Sequence, residues 1–190
     1  LSYISVRPVV KFFRRFDMEV FDVQRMEIHG GSLRIFVGRT GRRPVSPEVE
    51  RLLAEEEESG LHDRETLSTF ASAVRQNRQD LLALLHGLKI EGKTVVGLSA
   101  PAKGMTLLNY CRLGKQVLDF VTEKSPLKIG RFTPGGHIPV VPDEELLRVQ
   151  PDFALLLAWN FADEIMCNLD EYRRRGGRFI IPIPTPRIVD

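Results

Sequence analysis

Lys103 stands between two small residues in Ser99-Ala-Pro-Ala-Lys-Gly104, directly after the run Thr94-Val-Val-Gly97. β-branched residues followed by glycine read as a buried strand that turns sharply into a helix, with Gly97 expected to supply freedom in φ. The first N–H groups of that helix, from about Ala102 to Met105, would lack intrahelical partners. With the helix dipole they favour an anion such as a phosphate, and Lys103 adds a mobile positive charge. The dinucleotide fingerprint Gly-x-Gly-x-x-Gly is matched only in part, because Ser99 occupies the place of its second glycine. The order Lys103-Gly104 also fails the Gly-Lys-Ser/Thr phosphate-loop pattern, which argues against a kinase or ATPase. A purely structural reading stays open, in which Gly97 and Gly104 only let a strand and a helix pack closely.

Further polar candidates follow along the chain. Glu123 ends a second apolar run, where dinucleotide-binding folds place a carboxylate against ribose hydroxyls; pairing with Lys124 or Lys128 is the alternative. The segment Gly130-Arg-Phe-Thr-Pro-Gly-Gly-His-Ile-Pro139 is long and irregular, as functional loops often are. In it Arg131 could fork onto a phosphate or form a surface ion pair. His137 lacks a second histidine or cysteine at ligand spacing, so no metal site is expected. Trp159 either stacks on a base or plugs a sheet edge, and Asn160 stands beside it.

The elements that must position these residues can be read from periodicity. Apolar positions from Ser5 to Phe16 form a helical stripe, while Glu19–Ile28 and Ser32–Gly38 alternate as strands joined at Gly30-Gly31. This helix and hairpin, residues 1–40, cannot bury their own faces and look like the tail of another domain. Residues 41–62 read as a linker and a short helix whose run Glu55-Glu-Glu-Glu58 forms an exposed face. Asp63 caps a longer helix carrying Leu67, Phe70, Val74, Leu81, Leu85 and Leu88 on one stripe. Thereafter strands at Thr94–Val96, Gln116–Val121, Asp152–Leu157 and Arg178–Ile183 alternate with helices at Asp143–Arg148 and Phe161–Arg175. That pattern means a parallel sheet wrapped by helices over residues 63–190, with ligand-binding loops along one edge.

Composition narrows the function further. The 27 basic and 25 acidic side chains leave a net charge of +2, too even for an extended nucleic-acid surface. Two cysteines, Cys111 and Cys167, indicate no disulfide framework and fit a reducing, cytoplasmic setting. No apolar run approaches the ~20 residues of a membrane span.

Several motifs together resemble one family. They are His29-Gly-Gly-Ser-Leu-Arg34, Ala100-Pro-Ala-Lys-Gly104 with Thr106-Leu-Leu-Asn-Tyr-Cys111, Ser125-Pro-x-Lys-x-Gly-Arg131, Pro134-Gly-x-His-Ile-Pro139, Trp159-Asn160 with Asp163-Glu-Ile165, and Gly176-Gly-x-Phe-Ile-x-Pro-Ile-Pro184. In order and over nearly the whole length, they resemble the C-terminal region of S-adenosylmethionine-dependent sugar C-methyltransferases, which act on nucleotide-linked deoxysugars. Ser99, Glu123 and Ala158 depart from the family's usual glycine, aspartate and proline.

The resemblance implies a Rossmann-like C-terminal domain that holds the nucleotide sugar, preceded by a helix and hairpin left from a methyl-donor-binding domain. Substrate contacts would come from Ser99, Ala100, Ala102, Lys103, Gly104, Glu123, Arg131, His137, Trp159 and Asn160. His29 is a weak further candidate near the cleft. S-adenosylmethionine would serve the full-length enzyme, whose base removes a proton beside the sugar ketone; this chain alone is expected to bind no donor and to be inactive. The expected partners are a nucleoside-diphosphate sugar and a second copy of the chain through residues 1–40, with no nucleic acid and no membrane. An NAD(P)-binding oxidoreductase domain and a non-enzymatic nucleotide-binding regulatory module are the alternatives.

Overall fold

The computed structural model describes residues 4–28 and 31–190, in two compact units that divide after Ser72. His29 and Gly30, named above, lie outside the described residues.

The first unit opens with α1 (Val6–Arg14) and the antiparallel pair β1 (Met18–Met26) and β2 (Ser32–Arg39), followed by α2 (Pro47–Glu58). The strands and helix expected from alternation are therefore present. The expectation that they lack cover is corrected, because Val6, Val10, Val20 and Val23 are buried together with Val49 and Leu52 of α2. Burying a valine or leucine fully is worth about 1.5–3 kcal/mol, so these six side chains make a real if small core. Phe12, Phe16 and Leu33 stay exposed.

The acidic run on α2 is also more than an exposed face. Glu56 accepts the backbone N–H groups of Val6 and Arg7 at 2.5 and 2.9 Å, capping α1, whose own Ser5 makes no side-chain cap. Its carboxyl is opposed by burial, yet those two bonds and His62 hold it below the ordinary carboxyl range.

α3 (Arg64–Ile90) begins in the first unit and ends in the second. Its stripe is only half used. Leu81, Leu85 and Leu88 are buried, whereas Leu67 and Phe70 are 50% and 67% exposed. Periodicity marked all of them, but only the later turns have a sheet to cover.

In the second unit, β3 (Val95–Leu98), α4 (Ala102–Cys111), β4 (Val121–Glu123), β5 (Val140–Pro142), α5 (Glu144–Val149) and β6 (Phe153–Leu156) follow in order. A 3-10 turn at Trp159–Phe161, α6 (Ala162–Asn168), α7 (Asp170–Arg174), β7 (Arg178–Ile181) and β8 (Arg187–Val189) complete it. The six strands lie in the order β5-β4-β3-β6-β7-β8, all parallel except β8.

One face carries Leu81, Leu85, Leu107, Leu108 and Val121; the other carries Leu98, Leu146, Tyr172 and Phe179. The second strand forms at Val121–Glu123 rather than Gln116–Val121, since Val117 and Leu118 are buried inside a turn. The helix expected over Phe161–Arg175 is broken at Leu169 into α6 and α7. From β3 the chain builds outward to β5 on one side, and from β6 to β8 on the other. The loops after β3 and β6 therefore diverge, opening a crevice at the carboxyl edge of the sheet.

Candidate functional site

Gly97 lies inside β3, paired with Val121 and Leu155, and its φ is not left-handed. Its role is room: a Cβ there would come within 2.9 Å of Val121 Cγ2 and 3.1 Å of Leu157 Cδ1. The left-handed turn falls instead on Ser99, at φ 67°. For a residue with a Cβ that conformation costs about 1–2 kcal/mol, so the chain holds a strained serine at the mouth of the crevice.

Gly104 is tighter still. A Cβ would meet Leu157 Cβ at 2.7 Å and the Leu157 carbonyl oxygen at 3.0 Å, so α4 rests directly on the end of β6. The first turn of α4 has no side-chain cap, leaving the N–H groups of Ala102, Lys103 and Gly104 available; Met105 is already bonded to the Pro101 carbonyl.

Glu123 ends β4 as expected, but its carboxylate is spent on the fold. One oxygen accepts the Ala100 N–H at 3.1 Å and Lys128 Nζ at 2.9 Å; the other accepts the N–H groups of Lys124 and Ser125 at 3.0 and 3.2 Å. Four donors fill the lone-pair sites of a carboxylate. Burial works against the charge, but the Lys128 bond, with Ser125 and Ala100, holds the pKa below the ordinary carboxyl value. Lys128 Nζ also donates to the Ala100 carbonyl at 3.0 Å. Lys128 and Glu123 thus tie the loop after β3 to the loop after β4, which the ribose reading did not foresee.

Lys103 makes no ion pair among the described residues. Its Nζ lies 5.0 Å from the centroid of Trp159 and 5.6 Å from that of Phe161, within cation–π range. Burial lowers its pKa. Trp159 is partly buried and packs against both faces of the core, plugging the end of the sheet while offering a ring face to Lys103. Next to it, Asn160 Oδ1 is buried with no hydrogen-bond partner among the described residues.

Beside the crevice is a cavity of about 320 Å³ whose wall includes Ser99, Glu123 and Phe161. Its wall also holds Lys124, and sequence reasoning missed the remaining polar members, Thr122, Asp143, Glu164 and Asn168. Those come from β4, the start of α5 and α6, and no spacing along the chain links them. A carboxylate at the first position of a short helix and another one residue after Asp163 were the only signals available.

The structure gathers Ser99, Ala100, Ala102, Lys103, Gly104, Glu123, Trp159 and Asn160 at the carboxyl edge. It does not bring His137 there. Asn109, in the last turn of α4, donates to the Pro134 carbonyl, and Gly136 lies against the Leu113 carbonyl, so this loop sits at the far end of α4. His137 is exposed there at φ 49°. Arg131 is held on the outer strand by backbone bonding with Val140, and its exposed guanidinium has no partner among the described residues. Both depart from the expected site because the loop runs back down the sheet to start β5.

A family model described as the C-methyltransferase C-terminal domain matches residues 27–184. Over 189 residues the chain is 39% identical to the C-methyltransferase NovU of Streptomyces niveus, covering 99% of this chain and 45% of that protein. The chain spans just under half the length of that relative. Because the family match takes in all five parallel strands and the crevice between them, the chain belongs to the C-methyltransferase C-terminal domain family.

Proposed function

We propose that this chain is the substrate-holding part of an S-adenosylmethionine-dependent C-methyltransferase and grips a nucleotide-linked keto-deoxysugar at the carboxyl edge of its sheet. The observation that carries the reading is the pairing of opposites across the crevice. On one side are the uncapped N–H groups of α4 with Lys103, suited to a diphosphate. On the other is a cavity with an apolar wall and scattered polar groups, suited to a ring with both apolar and hydroxylated faces.

The methyl donor supplies an electrophilic methyl group when it is bound. The crevice does not fit it. An adenosine ribose at the end of β4 needs a free carboxylate, and Glu123 already accepts four donors. The same saturation weakens the nicotinamide reading. In this proposal Glu123 and Lys128 position the two loops, Lys103 and the α4 N–H groups hold phosphate, and Trp159 and Phe161 flank the ligand.

Calorimetry with thymidine and uridine diphosphates tests it. Lys103→Ala should weaken binding about ten- to a hundredfold, the worth of one charge-assisted hydrogen bond. Unchanged affinity in that variant, or micromolar binding of S-adenosylmethionine by the chain, would overturn the assignment.

A further inference from the structure

We propose that the outer side of α1 docks on the outer side of α2 in a second copy of the chain, so that the first unit pairs two molecules by opposite charge. The inference is independent of the nucleotide-sugar reading, which concerns the second unit.

Charge is divided unevenly along the first unit. Residues 1–43 carry nine Lys and Arg against four Asp and Glu, and residues 44–72 carry two against eight. Ion pairs within the unit use only part of this: Arg7 with Glu57, Arg25 with Glu55, Arg51 with Glu48 and Glu55, and His62 with Glu56. Lys11 and Arg15 on α1 and the turn after it, and Glu50 and Glu58 on α2, are exposed and make no ion pair among the described residues.

The positive surplus sits on the solvent side of α1. Val6 and Val10 face the core with partly buried Phe13. Lys11 and Arg15 are four residues apart, as are Phe12 and Phe16 beside them, so a cationic row and an aromatic row run together into the turn after the helix. The two rings are 5.1 Å apart and stand 51% and 55% exposed. Arg39, Arg42 and Arg43 join this end, because Met18 pairs with Arg39 and the Thr40 N–H donates to the Asp17 carbonyl. Arginine and aromatic rings are enriched in protein interfaces while lysine is depleted, so a face this rich in Arg and Phe suits a protein partner. A face made for the interior of a longer chain would be apolar throughout rather than ringed by unpaired guanidinium groups.

The complement lies on α2. Glu50, Ala54 and Glu58 recur every four residues on the side away from Val49 and Leu52, and Leu61, 42% exposed, continues the row past the helix end. An acidic row with an apolar end thus matches a basic row with an aromatic end. The two rows cannot meet within one molecule, since α1 and α2 already share their inner faces through Val6, Val10, Val49 and Leu52. In a two-fold pair, α1 of each copy meets α2 of its partner and the match is made twice.

Sedimentation velocity on the chain across a concentration series is the test. The parent should dimerise, about tenfold more weakly at high salt than at low salt. Lys11→Glu with Arg15→Glu leaves both faces acidic, and Glu50→Lys with Glu58→Lys leaves both basic. Each double variant should stay monomeric where the parent pairs, and an equimolar mixture of the two should dimerise again, because every facing pair is then of opposite sign. Phe16→Ala should weaken the dimer about tenfold or more, as loss of an aromatic anchor does. Should one double variant fold poorly, the parent's salt dependence and Phe16→Ala still decide. A monomeric parent, pairing that survives both reversals, or a mixture that stays monomeric overturns the proposal; the first result would leave the two rows to a different polypeptide.

Discussion

Replacing Glu123 by glutamine keeps the shape of the side chain and removes its charge, which separates a structural role from a ligand role. The amide can accept at one oxygen, so one of the two donor pairs, Ala100 with Lys128 or Lys124 with Ser125, must face an NH2 group instead. Hydrogen bonds to a charged group are worth about 1.5–3 kcal/mol each, and the ion pair to the half-exposed Lys128 adds at most about 1 kcal/mol.

Water can replace some of what is lost at Lys124, so the expected destabilisation is about 2–3 kcal/mol at neutral pH. At about 2–4 °C per kcal/mol for a chain of this size, the melting temperature should fall by about 5–10 °C. The pH dependence has a definite sign. Glu123 has its folded pKa lowered, so its contribution is present above the ordinary carboxyl value of 4.5 and is lost as pH falls through the folded value. Thermal melts between neutral pH and the acid limb should show parent and variant converging as pH drops. A variant that melts with the parent at neutral pH, yet no longer binds a nucleoside diphosphate, would refute the reasoning and restore Glu123 to the ribose.

Gly104→Ala should destabilise by up to about 2 kcal/mol despite the helix preference for alanine. Its Cβ would stand 2.7 Å from Leu157 Cβ and 3.0 Å from a backbone oxygen, and overpacking costs about 1–3 kcal/mol against about 1 kcal/mol gained in propensity. Urea unfolding reads the outcome, and a more stable variant would show that α4 shifts freely. Glu56→Ala removes the cap on α1 and should cost about 1–2 kcal/mol within the first unit, seen as faster amide exchange across Val6–Arg14 with the second unit unaffected.

How much of this was legible follows from what each signal reports. Alternation and 3.6-residue stripes report a buried face wherever a face is regular, so α1, β1, β2, α3, β3, β6 and β7 were found. β5 and β8 are three residues each, β5 ends at Pro142 and β8 follows the prolines at 182, 184 and 186, which leaves too little pattern to see. The apolar pair Val117 and Leu118 looked like strand because burial in a turn and burial in a sheet leave the same trace in a sequence. At the site, residue type located the carboxyl edge but assigned its duties wrongly in two places. The glycine expected to turn the chain makes room, and the serine that departs from the fingerprint takes the turn.

Those two reversals have a common cause. With Gly97 needed for packing between Val121 and Leu157, the left-handed residue must come later, at Ser99, and its strain has to be held by neighbouring bonds. Glu123 and Lys128 supply them, gripping the N–H and the carbonyl of Ala100, the very next residue. The carboxylate that a nucleotide-binding fold would offer to a ribose is thereby committed to the turn. In the proposed reading, recognition of the ligand then falls to Lys103, whose Nζ makes no ion pair among the described residues and lies over the rings of Trp159 and Phe161.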